Sequence, residues 1–219
     1  GPDQPLISRL KPYWHASYIW YPEPDEIHKA NAPRYFRKAF ALDSPEDVRS
    51  AVLQLRSNDY YQAFINGVPV ATGSTRITPT DVRQHLVKGP NVLAVVADLK
   101  GNPGRWGWGE LLFELALNYD DHSEYVVSDA SVRSSDQGSE GWQSAGFDDR
   151  AWRPAAQFLQ PPQGVWGAIP YQPSAVNERV QLSQLHITPA MAAPGDRVTV
   201  SLRLTPDKPL RDDYVFLLD

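Results

Sequence analysis

The chain has no cysteine and a single methionine among 219 residues. Without thiols there are no disulfides, no thiolate metal ligands and no cysteine nucleophile. The compartment stays open on this evidence, since periplasmic proteins can also lack cysteine. No apolar stretch approaches the roughly 20 residues that cross a bilayer as a helix, so no membrane insertion is expected. Lys and Arg number 21 against 26 Asp and Glu, a net charge of -5, and the cations are not clustered. Neither a nucleic-acid partner nor an anionic membrane surface fits that balance. The five histidines (His15, His28, His85, His122, His186) show no His-x-His or His-x-x-x-His spacing, which leaves a zinc site unsupported. A G-x-S-x-G nucleophile elbow and a phosphate-cradling glycine loop are also missing.

Proline and aromatic residues are abundant: 20 Pro, 7 Trp, 10 Tyr and 7 Phe. Hydrophobic residues at 42% and charged residues at 21% allow a buried core and exclude global disorder. Val52–Arg56 reads as a strand with Tyr60–Ile65 as its neighbour, and Asn66-Gly67 marks a tight hairpin turn before Val68–Ala71. The run Asn91–Ala97 is continuously apolar and rich in β-branched residues, the pattern of a strand buried on both faces. Leu111–Leu117 fits helix or strand by period. Its seven residues are short for a helix, so it is assigned as a strand. Tyr125–Val127 and Ser131–Arg133 add two more, with helix expected only around Pro45–Arg49 and single turns near Val82 and Asp149. Many short strands without a long amphipathic helix predict an all-β sandwich.

A proline-rich stretch from Pro161 to Pro173 precedes a second alternating block. There Leu182, Leu185 and Ile187 are followed by a Pro194-Gly195-Asp196 turn, Val198–Leu204 and Tyr214–Leu218. These three strands read as the opening of an immunoglobulin-like sandwich, which needs about seven. The expected division is residues 6–175 for the first domain and 176–219 for a linker and these first strands. Gly1-Pro2 resembles a tag-protease scar, and the chain closes on an apolar run, so it reads as an excerpt of a longer protein.

A series of motifs then carries a family likeness: the aromatic stretch Trp14–Trp20, Arg34–Phe40, Asn58–Gly67, Asp81-Val82, Leu86–Val95, Gly141-Trp142 and Phe147–Trp152. In this order they resemble the galactose-binding-like jelly-roll domains N-terminal in bacterial α-L-rhamnosidases, and the sugar-binding domain of the β-galactosidase/β-glucuronidase family. The likeness covers roughly residues 13–171 and implies a jelly-roll β-sandwich. It implies an accessory module of an exported (periplasmic, cell-surface or secreted) polysaccharide-acting protein, with catalysis in a separate downstream domain as its partner. Some members of these families bind sugar, some hold a structural calcium, and others brace the catalytic domain. No other cofactor is expected, and fold alone does not transfer function.

The residues offer sites for that chemistry, each with a plainer alternative. Asn102–Glu110 sets Trp106 and Trp108 among glycines beside Arg105 and Glu110. An indole can pack on the C–H face of a pyranose while Arg and carboxylate groups bond its hydroxyls. Alternatively both tryptophans plug the sandwich end. Asp59, at the start of a strand, could serve a hydroxyl or a calcium ion, or simply cap its turn. In Phe147–Trp152 the carboxylates could face a cation, or an Asp could cap a turn while the aromatic rings fill the core. Asp120-Asp121-His122 reads as a solvated hairpin turn. Asp98 and Glu110 are the single carboxylate pair that could act as acid and base across a glycosidic bond. The expectation is a noncatalytic carbohydrate-binding module whose partner is a glycan or polysaccharide, the alternative being a structural or docking domain that binds no glycan.

Overall fold

The computed structural model describes residues 14–23, 32–98, 109–161, 163, 180–188, 197 and 199–206. The chain divides into two units, Gly1–Ser174 and Ala175–Asp219.

Period-two alternation of apolar residues builds the first unit. Its strands, in chain order, are β1 (Ile19–Trp20), β2 (Arg34–Leu42), β3 (Ser50–Ser57), β4 (Tyr60–Ile65), β5 (Val68–Gly73), β6 (Thr80–Asp81), β7 (Gly89–Asp98), β8 (Leu111–Asn118), β9 (Ser123–Val127), β10 (Arg133–Ser135), β11 (Arg153–Pro154) and β12 (Ala156–Gln157). One antiparallel sheet runs β12-β1-β8-β3-β6, with β9 also paired to β8. The other runs β11-β10-β2-β7-β4-β5. Alternate residues of facing strands meet in one core. Ala51, Leu53 and Leu55 of β3 and Phe113, Leu115 and Leu117 of β8 pack with Phe36 of β2, Leu93 and Val95 of β7, and Ala63 and Ile65 of β4. The result is a β-sandwich.

Each sheet is also covered on its outer side. On the first, Trp14, Ala16 and Tyr18 lie against Leu112, so all eight residues of β8 are buried. The outward Glu114 of β8 is 1% exposed. Its Oε2 accepts the backbone N–H of His15 at 2.7 Å, and Nδ1 of the His15 ring lies 3.3 Å from Oε1. On the second sheet Trp142 packs on Phe64 and Ala94, ringed by Tyr35, Val96, Phe147 and Trp152. Arg37 of β2 fastens this layer. Its guanidinium donates to Asp149 Oδ2 at 2.8 Å and to the carbonyls of Trp142, Ser144 (3.0 Å) and Phe147 (3.4 Å).

In the first unit the assigned strands are present apart from Ser131-Val132, with β7 buried along both faces. Pro45–Asp47 and Arg83–His85 form single turns of 3-10 helix, and Asp149–Trp152 is a hydrogen-bonded turn. Three details differ from the sequence reading. Strands β3 and β4 are consecutive in the chain but lie in opposite sheets, because Asn58-Asp59 crosses the sandwich rather than closing a hairpin. Ser131-Val132 belongs to a turn, and the strand starts at Arg133. Phe147 and Trp152 join the outer aromatic layer rather than the core between the sheets.

The turn Asn66-Gly67 has φ values of +52° and +88°, the left-handed pair that a type I′ hairpin requires. The Asn66 side chain does more than tolerate that backbone. Its Nδ2 donates to His85 O (2.9 Å) and Asn91 Oδ1 (2.7 Å), and its Oδ1 accepts Val92 N–H (2.9 Å). Asn66→Ala is expected to cost about 2 kcal/mol in urea denaturation, from left-handed strain and orphaned partners. Asn66→Gly relieves the strain alone and should recover about 1 kcal/mol of it; full recovery would show that the side-chain network contributes nothing.

The second unit contains β13 (Val180–Thr188) and β14 (Thr199–Pro206), an antiparallel pair with a register shift between Ser183 and Leu185. The register opposes Leu182 to Leu204, Leu185 to Leu202 and Ile187 to Val200. The Pro194-Gly195-Asp196 turn and the strand expected at Tyr214–Leu218 lie outside the described residues.

Candidate functional site

One end of the sandwich gathers the residues that carry site chemistry. There β7 ends at Asp98, β8 begins after Gly109-Glu110, and Asn58-Asp59 links β3 to β4. The β3–β8 ladder runs one step past Ser57↔Leu111, since Asn58 N–H donates to Glu110 O at 3.2 Å. On the other sheet Tyr60 of β4 pairs with Asp98. The fold thus sets Glu110, Asp59 and Asp98 at the same end. Arg105, Trp106 and Trp108 lie outside the described residues.

Glu110 is two residues before Leu112 and shares its outward face, on which Arg56 is the cross-strand neighbour of Leu112. Tyr18, from the segment packed over that face, completes a group whose charges act on one another. Burial pushes the Glu110 carboxyl up from its ordinary 4.5 to about 7, against a smaller lowering by Arg56. Burial likewise raises the Tyr18 phenol to about 12 and draws the Arg56 guanidinium down. Among the described residues Glu110 Oε2 is buried and has no hydrogen-bond partner. Buried polar atoms are almost always paired, so an unpaired carboxylate oxygen sets this position apart.

Beneath the site the backbone is held by close packing. A Cβ placed on Gly109 would fall 1.8 Å from Cε2 of Trp20, so only glycine lets the chain pass flat across the indole. Trp20 is 4% exposed and packs on Phe36, with ring centroids 5.4 Å apart. Gly109 therefore fixes where Glu110 leaves the core.

The other candidates resolve into local roles. Asp148 accepts the Arg150 backbone N–H at 3.1 Å and pairs with its guanidinium at 2.6 Å, while Asp149 serves Arg37. The turn between β8 and β9 is exposed at Asp120, Asp121 and His122. Asp121 Oδ1 lies 2.7 Å from His122 Nδ1 and Asp120 pairs with Arg49 at 2.5 Å. Among the described residues no three His, Asp or Glu side chains form a possible metal-ligand set, and no helix is long and apolar enough to cross a membrane. The sequence reading did not single out Tyr18 and Arg56. The available signal was an Arg at an outward position of a strand whose other outward residues, Gln54 and Val52, carry no positive charge.

No family model matches the chain. In sequence it is 31% identical over 173 residues, 74% of its length, to an α-L-rhamnosidase of Streptomyces avermitilis, of which it spans 16%. The crystal structure of the Streptomyces avermitilis α-L-rhamnosidase complexed with L-rhamnose superposes with a TM-score of 0.65 at 27% identity, over 82% of this chain and 18% of that one. The chain carries a rhamnosidase-like β domain. A GH78 family rhamnosidase of Bacillus sp. GL1 matches this domain with a TM-score of 0.58 at 25% identity, over 71% of this chain and 19% of its own. A lectin from Pleurotus ostreatus, solved in complex with GalNAc, shares the fold at 22% identity and a TM-score of 0.58, over 72% of this chain and 48% of the lectin. The rhamnosidase-like β domain is thus one that occurs within much longer glycoside hydrolases.

Proposed function

We propose that this chain is a noncatalytic carbohydrate-binding module of an exported glycoside hydrolase, and that it holds a sugar at the sandwich end where Glu110 emerges. The observation that carries the reading is the buried Oε2 of Glu110, without a partner beside Arg56. Sugar hydroxyls are donors of the required kind, and a few placed polar groups are enough to orient a ring. Trp106 and Trp108 supply the stacking surface, Arg105 a second hydroxyl contact, and Asp59 the rim. The likeness to an α-L-rhamnosidase makes L-rhamnose the first sugar to try. No covalent step is involved, and any calcium is structural.

The test is a glycan array, run with calcium and again with a chelator, on the wild type and on Trp106→Ala and Trp108→Ala. Each substitution is expected to lower retention at least 10-fold, since losing a stacked ring removes about 1.4 kcal/mol or more, and to leave the melting temperature within about 1 °C. Melting temperatures that fall in both variants would assign the tryptophans to packing. A blank array with well-folded wild type would assign the module to bracing or docking a partner domain.

A further inference from the structure

We propose that Glu110 is the specificity residue of this site: its buried Oε2 accepts a hydroxyl from a neutral sugar, and acidic sugars are turned away. The inference rests on the sugar-binding reading and adds the ligand's charge and the protonation state in which it is captured. Oε2 is desolvated and lacks a donor. A carboxylate on the incoming ring would bring a second acceptor and a second negative charge against it, and like charges brought together in a desolvated interface cost several kcal/mol. A sugar hydroxyl instead donates to the oxygen and leaves its charge facing Arg56.

Such a hydroxyl is donated to the ionised form of Glu110. The titratable and charged groups that interact with Glu110 are Tyr18 from the covering segment and Arg56 of β3; Asp59 of the crossing turn and Asp98 of β7 lie at the same end of the sandwich. Tyr18 stays neutral up to about 12, and Arg56 is the described charge that acts on Glu110. With its carboxyl at about 7, Glu110 is mostly protonated at mildly acidic pH and mostly ionised at mildly alkaline pH. Affinity should therefore rise with pH, following the ionised fraction. In the free protein the sign is opposite. A carboxyl raised from 4.5 to about 7 stabilises the fold below 4.5, and that stabilisation is lost as pH climbs through 7.

The experiment is an NMR or calorimetric titration of the full chain with L-rhamnose, galactose and galacturonate at about pH 5.5 and 8.5. A neutral sugar is expected to bind about 30-fold more tightly at the higher pH, the ratio of ionised fractions for a group at about 7. Galacturonate is expected to bind more weakly than the neutral sugar at that pH. In Glu110→Gln, the neutral amide should hold affinity at both pH values near the weak level of the wild type at about pH 5.5 and remove the pH dependence, with the melting curve as a check on folding. A level pH profile in the wild type, a profile that persists in the variant, or galacturonate binding more tightly than both neutral sugars would overturn the inference and leave the sugar-binding reading intact. Failure of all three sugars to bind also overturns it, and a blank array beside that failure removes the sugar-binding reading as well.

Discussion

Arg37→Met should destabilise the first unit by about 3–5 kcal/mol, the range for breaking a buried ion pair from one side, and lower its melting temperature by roughly 10–15 °C. The Arg37 side chain is 2% exposed and its partner Asp149 24%. Methionine keeps most of the stem's volume but supplies no donor. Asp149 would then hold its charge unpaired, and the carbonyls of Trp142, Ser144 and Phe147 would lose the N–H groups that now converge on them. The Phe147 ring also sits under the guanidinium, 5.1 Å from its carbon, so the cation–π contact goes too. Lysine should rescue little, since a point charge cannot reach several acceptors at the angles of a planar fork. Asp149→Asn, which leaves the carbonyl contacts in place, should cost about 1 kcal/mol. Scanning calorimetry of the three variants separates these cases. Equal losses in Arg37→Met and Asp149→Asn would mean that the ion pair matters and the carbonyl contacts do not.

Gly109→Ala should be the second most damaging change, at about 3 kcal/mol, the upper end for overpacking, with a melting temperature roughly 8 °C lower. The added methyl overlaps three indole atoms of Trp20 at 1.8, 2.1 and 2.3 Å. The indole has little room to retreat, because Phe36 backs it. A smaller ring should make room: Trp20→Phe is expected to lower stability by itself, yet to bring the cost of Gly109→Ala below about 1 kcal/mol in the double variant. If Gly109→Ala costs the same in both backgrounds, the clash with Trp20 is not its cause.

The architecture was largely legible because its signals are local. Asn66-Gly67 favours positive φ, and a run of seven residues from Leu111 to Leu117 is too short for a helix. The crossing at Asn58-Asp59 was not legible. Two strands joined by two residues look alike whether they pair or pass between sheets, and only the pairing of β3 with β8 and of β4 with β7 separates the cases. Similarly, aromatic residues in Phe147–Trp152 announce burial but not which surface buries them; that depends on Arg37, 112 positions from Asp149 in sequence. At the candidate site, Glu110 and Asp59 could be named from residue type. Tyr18 and Arg56 could not, as their part follows from an outward strand position lying beneath a segment far away in the chain.

The outer coverings change what β8 can tolerate over evolutionary time. An antiparallel strand ordinarily has a strict side and a permissive side, and drift accumulates on the permissive one. Along β8 that freedom is withdrawn, for Leu112, Glu114, Ala116 and Asn118 are as enclosed as the residues opposite them. A change of side chain on either face of β8 must therefore be met by repacking around it, covering segment included.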